Sequence, residues 1–90
     1  MKLIILSGMD LKRLRLAVRP KMSVATLAKR LNRSESAVKA WENDTNPPSL
    51  PDFLKYCYYC KVTPSTVMRA LEMRQHPETP LDLKKDNNGS

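Results

Sequence analysis

The sequence predicts an all-α domain of five short helices, with a brief apolar arm before it and a polar tail after it. Two observations carry this. Apolar residues recur at spacings of three and four in successive segments, each preceded by a Ser, Thr or Asp able to cap a helix. The chain also holds only two glycines and one phenylalanine, with few of the alternating runs that make strands. At 90 residues and 41% apolar it has material for one modest core and no second domain. The boundaries read as an arm over 1–9, a helical domain over 10–76 and a flexible tail over 77–90.

The arm, Leu3 to Leu6, is an apolar run ended by Ser7-Gly8 and is expected to be extended or a brief strand. Left exposed it would be a sticky edge, so it should either cover the domain or pair with the same segment of a second copy. It is too short for a signal-peptide core or a membrane span. Two cysteines in a chain with no export feature point to a reducing compartment, hence the cytoplasm.

Asp10 is the expected cap of a first helix over 11–19, with Leu11, Leu14 and Val18 inward, Lys12, Arg13 and Arg19 outward, and Pro20 as its stop. The central stretch is 22–43, MSVATLAKRLNRSESAVKAWEN. Ser23 caps a helix that buries Val24, Leu27, Ala28 and Leu31. Asn32 tolerates the left-handed backbone needed to reverse the chain. Ser34 then caps a helix with Ala37, Val38 and Trp41 inward, leaving Glu35, Ser36, Lys39, Ala40 and Asn43 to point elsewhere. Two such helices on a tight turn form a helix-turn-helix, with small Ala28 allowing close approach.

Residues 43–49, NDTNPPS, are a loop. A fourth helix near 50–60 is expected to bury Leu50, Phe53, Leu54, Cys57 and Cys60, with Tyr56, Tyr58 and Tyr59 around its sides. Thr63 and Pro64 open a fifth that buries Val67, Met68, Leu71 and Ala70 and fades by Gln75. Beyond Pro77 only Leu81 and Leu83 are apolar; around Asp82 they could add a few residues of strand.

Net charge is +7. Residues 10–42 hold nine basic side chains against three acids, so the excess lies on the segment that contains the two-helix unit, as in a nucleic-acid binder. Lys21 and the capped start at Ser23 suit a phosphate, as does Arg33 in the turn. Lys39 can donate to guanine, Glu35 can accept from cytosine or merely favour its helix N-terminus, and Ser36 and Ala40 are small enough to admit the helix to a major groove. Cys57 and Cys60 form a C-x-x-C, yet helical spacing puts both on the apolar side and His76 alone completes no metal site, so neither metal nor cofactor is expected. His76 has no partnered nucleophile, and no enzyme is read here.

From Leu11 to Leu71 the chain resembles the Cro/repressor-like helix-turn-helix regulators, the XRE family. The resemblance is strongest in S-V-A-T-L-A-K-R-L-N-R-S-E-S-A-V-K-A-W-E-N and continues in Pro-Ser-Leu before the fourth helix and K-V-T before the fifth. It implies a five-helix domain whose third helix enters the major groove, often as a dimer. By position, Leu27, Ala28, Leu31, Val38 and Trp41 fall on core sites and Glu35, Ser36, Lys39 and Ala40 on base-facing ones. Asn43 and its neighbours Thr45 and Asn46 fall on backbone-contact sites. Three positions depart from the family pattern. Asn32 replaces the turn glycine, and Asp44, a negative charge near the expected DNA, replaces the glycine after the third helix. Val24 replaces a glutamine, leaving the phosphate to backbone N–H groups and Lys21. Many relatives pair an Arg of the first helix with the Glu matching Glu42; Arg13, Arg15 and Ala17 are all candidate positions, with Arg15 favoured.

The function implied is sequence-specific binding of double-stranded DNA by a small phage, prophage or plasmid repressor, expected as a homodimer with the arm as one candidate surface. The alternatives are an antitoxin or adaptor that grips a partner protein, and a recombination accessory factor that bends DNA.

Overall fold

A serine or threonine hydroxyl starts every helix. In the computed structural model, which describes residues 6–83, the helices are α1 (Gly8–Ala17), α2 (Val24–Leu31), α3 (Glu35–Glu42), α4 (Leu50–Tyr59) and α5 (Pro64–Met73). Their caps are Ser7, Ser23, Ser34, Ser49 and Thr63, and each side chain accepts the backbone N–H three residues on. That satisfies one of the N–H groups each helix start leaves without a partner. Among the described residues there is no strand, and no helix is long and apolar enough to cross a membrane.

The first helix corrects the sequence reading. Asp10 is not the cap but the third helical residue of a capping box: Ser7 Oγ accepts Asp10 N–H at 3.2 Å while Asp10 Oδ2 accepts Ser7 N–H at 3.0 Å. Ser7-Gly8 therefore opens α1, and the helix ends at Ala17, two residues short of expectation. Gly8 stands there for space, since a Cβ would lie 2.6 Å from Trp41 O and closer still to the Glu42 carbonyl. Its absence lets the start of α1 abut the end of α3.

The core is built from Leu11, Leu14, Val18, Leu27, Ala28, Leu31, Val38, Trp41, Phe53, Tyr56, Cys57, Val67 and Leu71, with contributions from every helix. Four residues of α4 and α5 correct the expected faces. Leu50 is 68% exposed and Leu54 43%, whereas Tyr56 is fully buried, so the apolar inner face of α4 is Phe53, Tyr56 and Cys57, with Cys60 buried at its C-cap. Met68 is also outside, at 45%. Tyrosine displaces leucine because its hydroxyl finds buried acceptors, Glu42 Oε2 at 2.6 Å and the Leu11 carbonyl at 2.7 Å.

Three buried carboxylates are each held by an arginine. Arg15 grips Glu42 with Nε and Nη2 at 2.8 and 2.9 Å and donates Nη1 to the Met22 carbonyl at 3.0 Å. Arg15 is thus the helix-1 partner of Glu42. Arg74, at the end of α5, reaches Asp10 at 2.7 and 3.1 Å and donates to the Thr79 carbonyl at 3.0 Å. Arg33 meets Asp52 at 3.0 Å. Of the segment set apart as a tail, residues 77–83 are described, and Leu81 and Leu83 are half-buried against the core without forming a strand. The arm's Leu6 packs on the core too; the rest of the arm, residues 1–5, lies outside the described residues, and so does the expected pairing of two arms.

Candidate nucleic-acid interface

The turn between α2 and α3 is made by Asn32, whose φ of 60° and ψ of 44° are left-handed as its identity predicts. Its N–H and that of Arg33 return to the Lys29 and Ala28 carbonyls at 3.2 and 2.9 Å, so the end of α2 is closed by its own backbone. Ser34 Oγ then accepts Ala37 N–H at 3.1 Å and starts α3. The reversal occupies three residues, and the two helices pack through Leu27, Ala28, Leu31 and Val38, all buried.

The inner side of α3 is fixed by Val38, Trp41 and Glu42. Trp41 lies 6.4 Å from Tyr56, ring centre to ring centre, in a tilted arrangement. Glu42 carries the most polar load, accepting Arg15 on both oxygens and the Tyr56 hydroxyl on one. Loss of water on burial pushes the Tyr56 hydroxyl far above its ordinary range, and the carboxylate beside it adds to this. The Arg15 guanidinium is pushed up, chiefly by its hydrogen bonds to Glu42. Arg15 and Glu42 thus form a buried ion pair capped by a neutral phenol, and among described residues no buried side-chain polar atom lacks a partner.

The other side of α3 is open. Glu35, Ser36, Lys39 and Asn43 are exposed on one arc of the helix, and Ala40 sits half-buried at its edge. Of the expected backbone-contacting set, Lys21 and Ser23 are exposed before α2 and Val24 is half-buried. The Ser23 hydroxyl is already committed to the Thr26 N–H and lies 3.1 Å from Thr26 Oγ1. Arg33 keeps its side chain 48% exposed with Nε on Asp52, so it is a surface cation anchored at one nitrogen. After α3 the Thr45 and Asn46 N–H groups both turn back to the Ala40 carbonyl, at 2.9 and 3.3 Å, which takes these two backbone donors away from an outside phosphate.

Sequence reasoning missed two features of this surface. Asp44 does not stand free: with φ at 62° it turns its carboxylate onto the Gly8 N–H, 2.7 Å away, at the positive end of α1. Its charge is thereby drawn toward the α1 start, and the loop after α3 is pinned there. Lys29 and Arg30, exposed on α2, add two cations to the neighbourhood of Lys21 and Arg33. Asp44 gave no local signal, since its partner is 36 residues away.

Cys57 and Cys60 are buried free thiols. Burial pushes Cys57 up to about 11 and Cys60 up to about 12, which suppresses the thiolate at neutral pH that redox chemistry or metal binding requires. Among the described residues no three His, Cys, Asp or Glu side chains gather to hold a metal ion. Comparison of the chain with protein-family models, with curated proteins and with solved structures gave no match.

Proposed function

We propose that this chain is a cytoplasmic, non-enzymatic, sequence-specific binder of double-stranded DNA that acts as a transcriptional regulator, a small repressor of the Cro-like kind. The supporting observation is the two-sidedness of α3. One side is locked into the core through Trp41 and the Glu42 network; the other offers Glu35, Ser36 and Lys39 to solvent, with no described residue over them.

A rod about 10–12 Å across, with short polar side chains outward, suits a major groove about 12 Å wide. Lys39 donates to guanine O6 and N7, Glu35 accepts from cytosine N4, and Ser36 and Ala40 keep the surface low enough for approach. Lys21, Lys29, Arg30 and Arg33 then meet phosphates on either side. Regulation comes from occupancy of operators.

Selection of bound fragments from random duplexes by the purified chain tests this directly. Enrichment of a defined motif is expected, with log affinity falling by about 0.9 per log unit of salt for every phosphate neutralised. Recovery of unenriched sequence, or of nothing at low salt, overturns the reading.

A further inference from the structure

A cavity of about 580 Å³ opens between the end of α1 and the connection from α4 to α5. Clefts that take small organic molecules span about 300–1,000 Å³. The base of this one is the buried Leu14, Val18 and Cys60, and the half-buried Val62 and Leu83 stand at its sides. Its exposed rim carries two cations, Arg19 and Lys61. An apolar base thus lies beneath a positive edge.

Two contacts assemble the rim. Lys61 Nζ donates to the Arg19 carbonyl at 3.2 Å, across 42 positions of sequence, and Arg19 Nη1 donates to the Leu16 and Val18 carbonyls at 2.9 and 3.2 Å. These bonds hold both cations in place without neutralising either. Arg15, Arg33 and Arg74 each grip a carboxylate, whereas no carboxylate of the described residues pairs with Arg19 or Lys61. Lys61 also stands where lysine is costly: its φ of 59° is left-handed, a conformation that glycine or asparagine holds more cheaply, as Asn32 does after α2. A lysine kept at such a position points to a use for its charge.

We infer that this cleft binds a small amphipathic carboxylate, with the carboxyl group between Arg19 and Lys61 and the apolar body over Val18 and Cys60. Each half of the site excludes a class of ligand. A bare inorganic anion would leave the apolar base against water, and a neutral hydrocarbon would leave the rim cations without a counter-charge. Medium-chain acids are the simplest molecules that satisfy both halves.

Titration of the isotope-labelled full chain with octanoate, followed by amide chemical shifts without DNA, tests the site separately from the proposed function. Saturable one-to-one binding is expected at about millimolar octanoate or below, with the largest shifts at Val18, Arg19, Lys61 and Val62. Shortening the acid should weaken binding by up to about fourfold per methylene. Octanol, which keeps the body and loses the charge, should bind about tenfold more weakly. Lys61→Gly keeps the left-handed backbone and removes one cation, so it should weaken octanoate about threefold with the fold intact by circular dichroism. Ala17→Phe, at an exposed position on the cavity wall, should fill the cleft and abolish binding. The absence of a saturable shift in the millimolar range overturns the inference. So do equal binding of octanol and octanoate, shifts spread instead over Lys21, Lys29 and Lys39, and octanoate binding left unchanged by either variant.

Discussion

The two sides of α3 differ in what holds them. On the inner side the side chains are held within the chain: Glu42 by Arg15 and the Tyr56 hydroxyl, and the Trp41 ring by contact with the Tyr56 ring. On the outer side the Glu35, Ser36 and Lys39 side chains stand in solvent and bond no described residue. Identical backbone therefore carries two uncoupled sets of residues. Inner ones decide whether the helix is presented at all, and outer ones decide what it meets.

The largest effect should come from breaking the inner side. Glu42→Ala strands the Arg15 guanidinium and the Tyr56 hydroxyl in the interior and should cost about 3–5 kcal/mol, read as a fall in the denaturation midpoint. Tyr56→Phe removes one donor and keeps the ring; about 1–3 kcal/mol is expected, with Arg15 still in place. Alkaline titration sharpens the same point. The ordinary thiol value is 9.0, and burial raises Cys57 to about 11 and Cys60 to about 12. The unfolded chain therefore releases these protons first as pH rises. Their contribution to stability is intact below about pH 9 and is lost as pH climbs through the folded values. Replacing both cysteines with alanine should flatten that slope, whatever it does to the midpoint at neutral pH.

Smaller effects come from the border of the two sides. Asp44→Gly keeps the left-handed backbone but removes the acceptor of the Gly8 N–H, and a loss of about 0.5–1.5 kcal/mol is expected in thermal melts. On the outer side Lys39→Ala should change stability by no more than about 0.5 kcal/mol. The same variant should lose about 1–3 kcal/mol of discrimination at one base pair in duplex binding. Unchanged selectivity would remove Lys39 from the set of base readers.

Much of this division is written locally. Ser23, Ser34 and Thr63 start their helices as their hydroxyls predict, and Asn32 turns where only a residue tolerant of positive φ can. The outer arc of α3 follows from the inward spacing of Val38 and Trp41. What escaped local reading has a distant cause. Ser7-Gly8 resembles the end of a strand until the carbonyls of Trp41 and Glu42 are seen pressing on Gly8, although Ser7 and Asp10 do carry the S-x-x-D spacing of a capping box. Periodicity alone ranks Leu50 and Leu54 inside and Tyr56 at the side; the order reverses because Leu11 and Glu42 supply acceptors for a phenol. The same periodicity ranks Met68 inside, whereas it is exposed. The roles of Asp44 and Asp52 rest on partners 36 and 19 residues away, which no window on the sequence contains.

Arg74 closes on Asp10 across 64 positions of sequence, joining the last turn of α5 to the first turn of α1. The helical domain is thus a ring with a seam, and its two ends leave from one pole. A circular permutant bridging that seam through a short linker would need no helix to move.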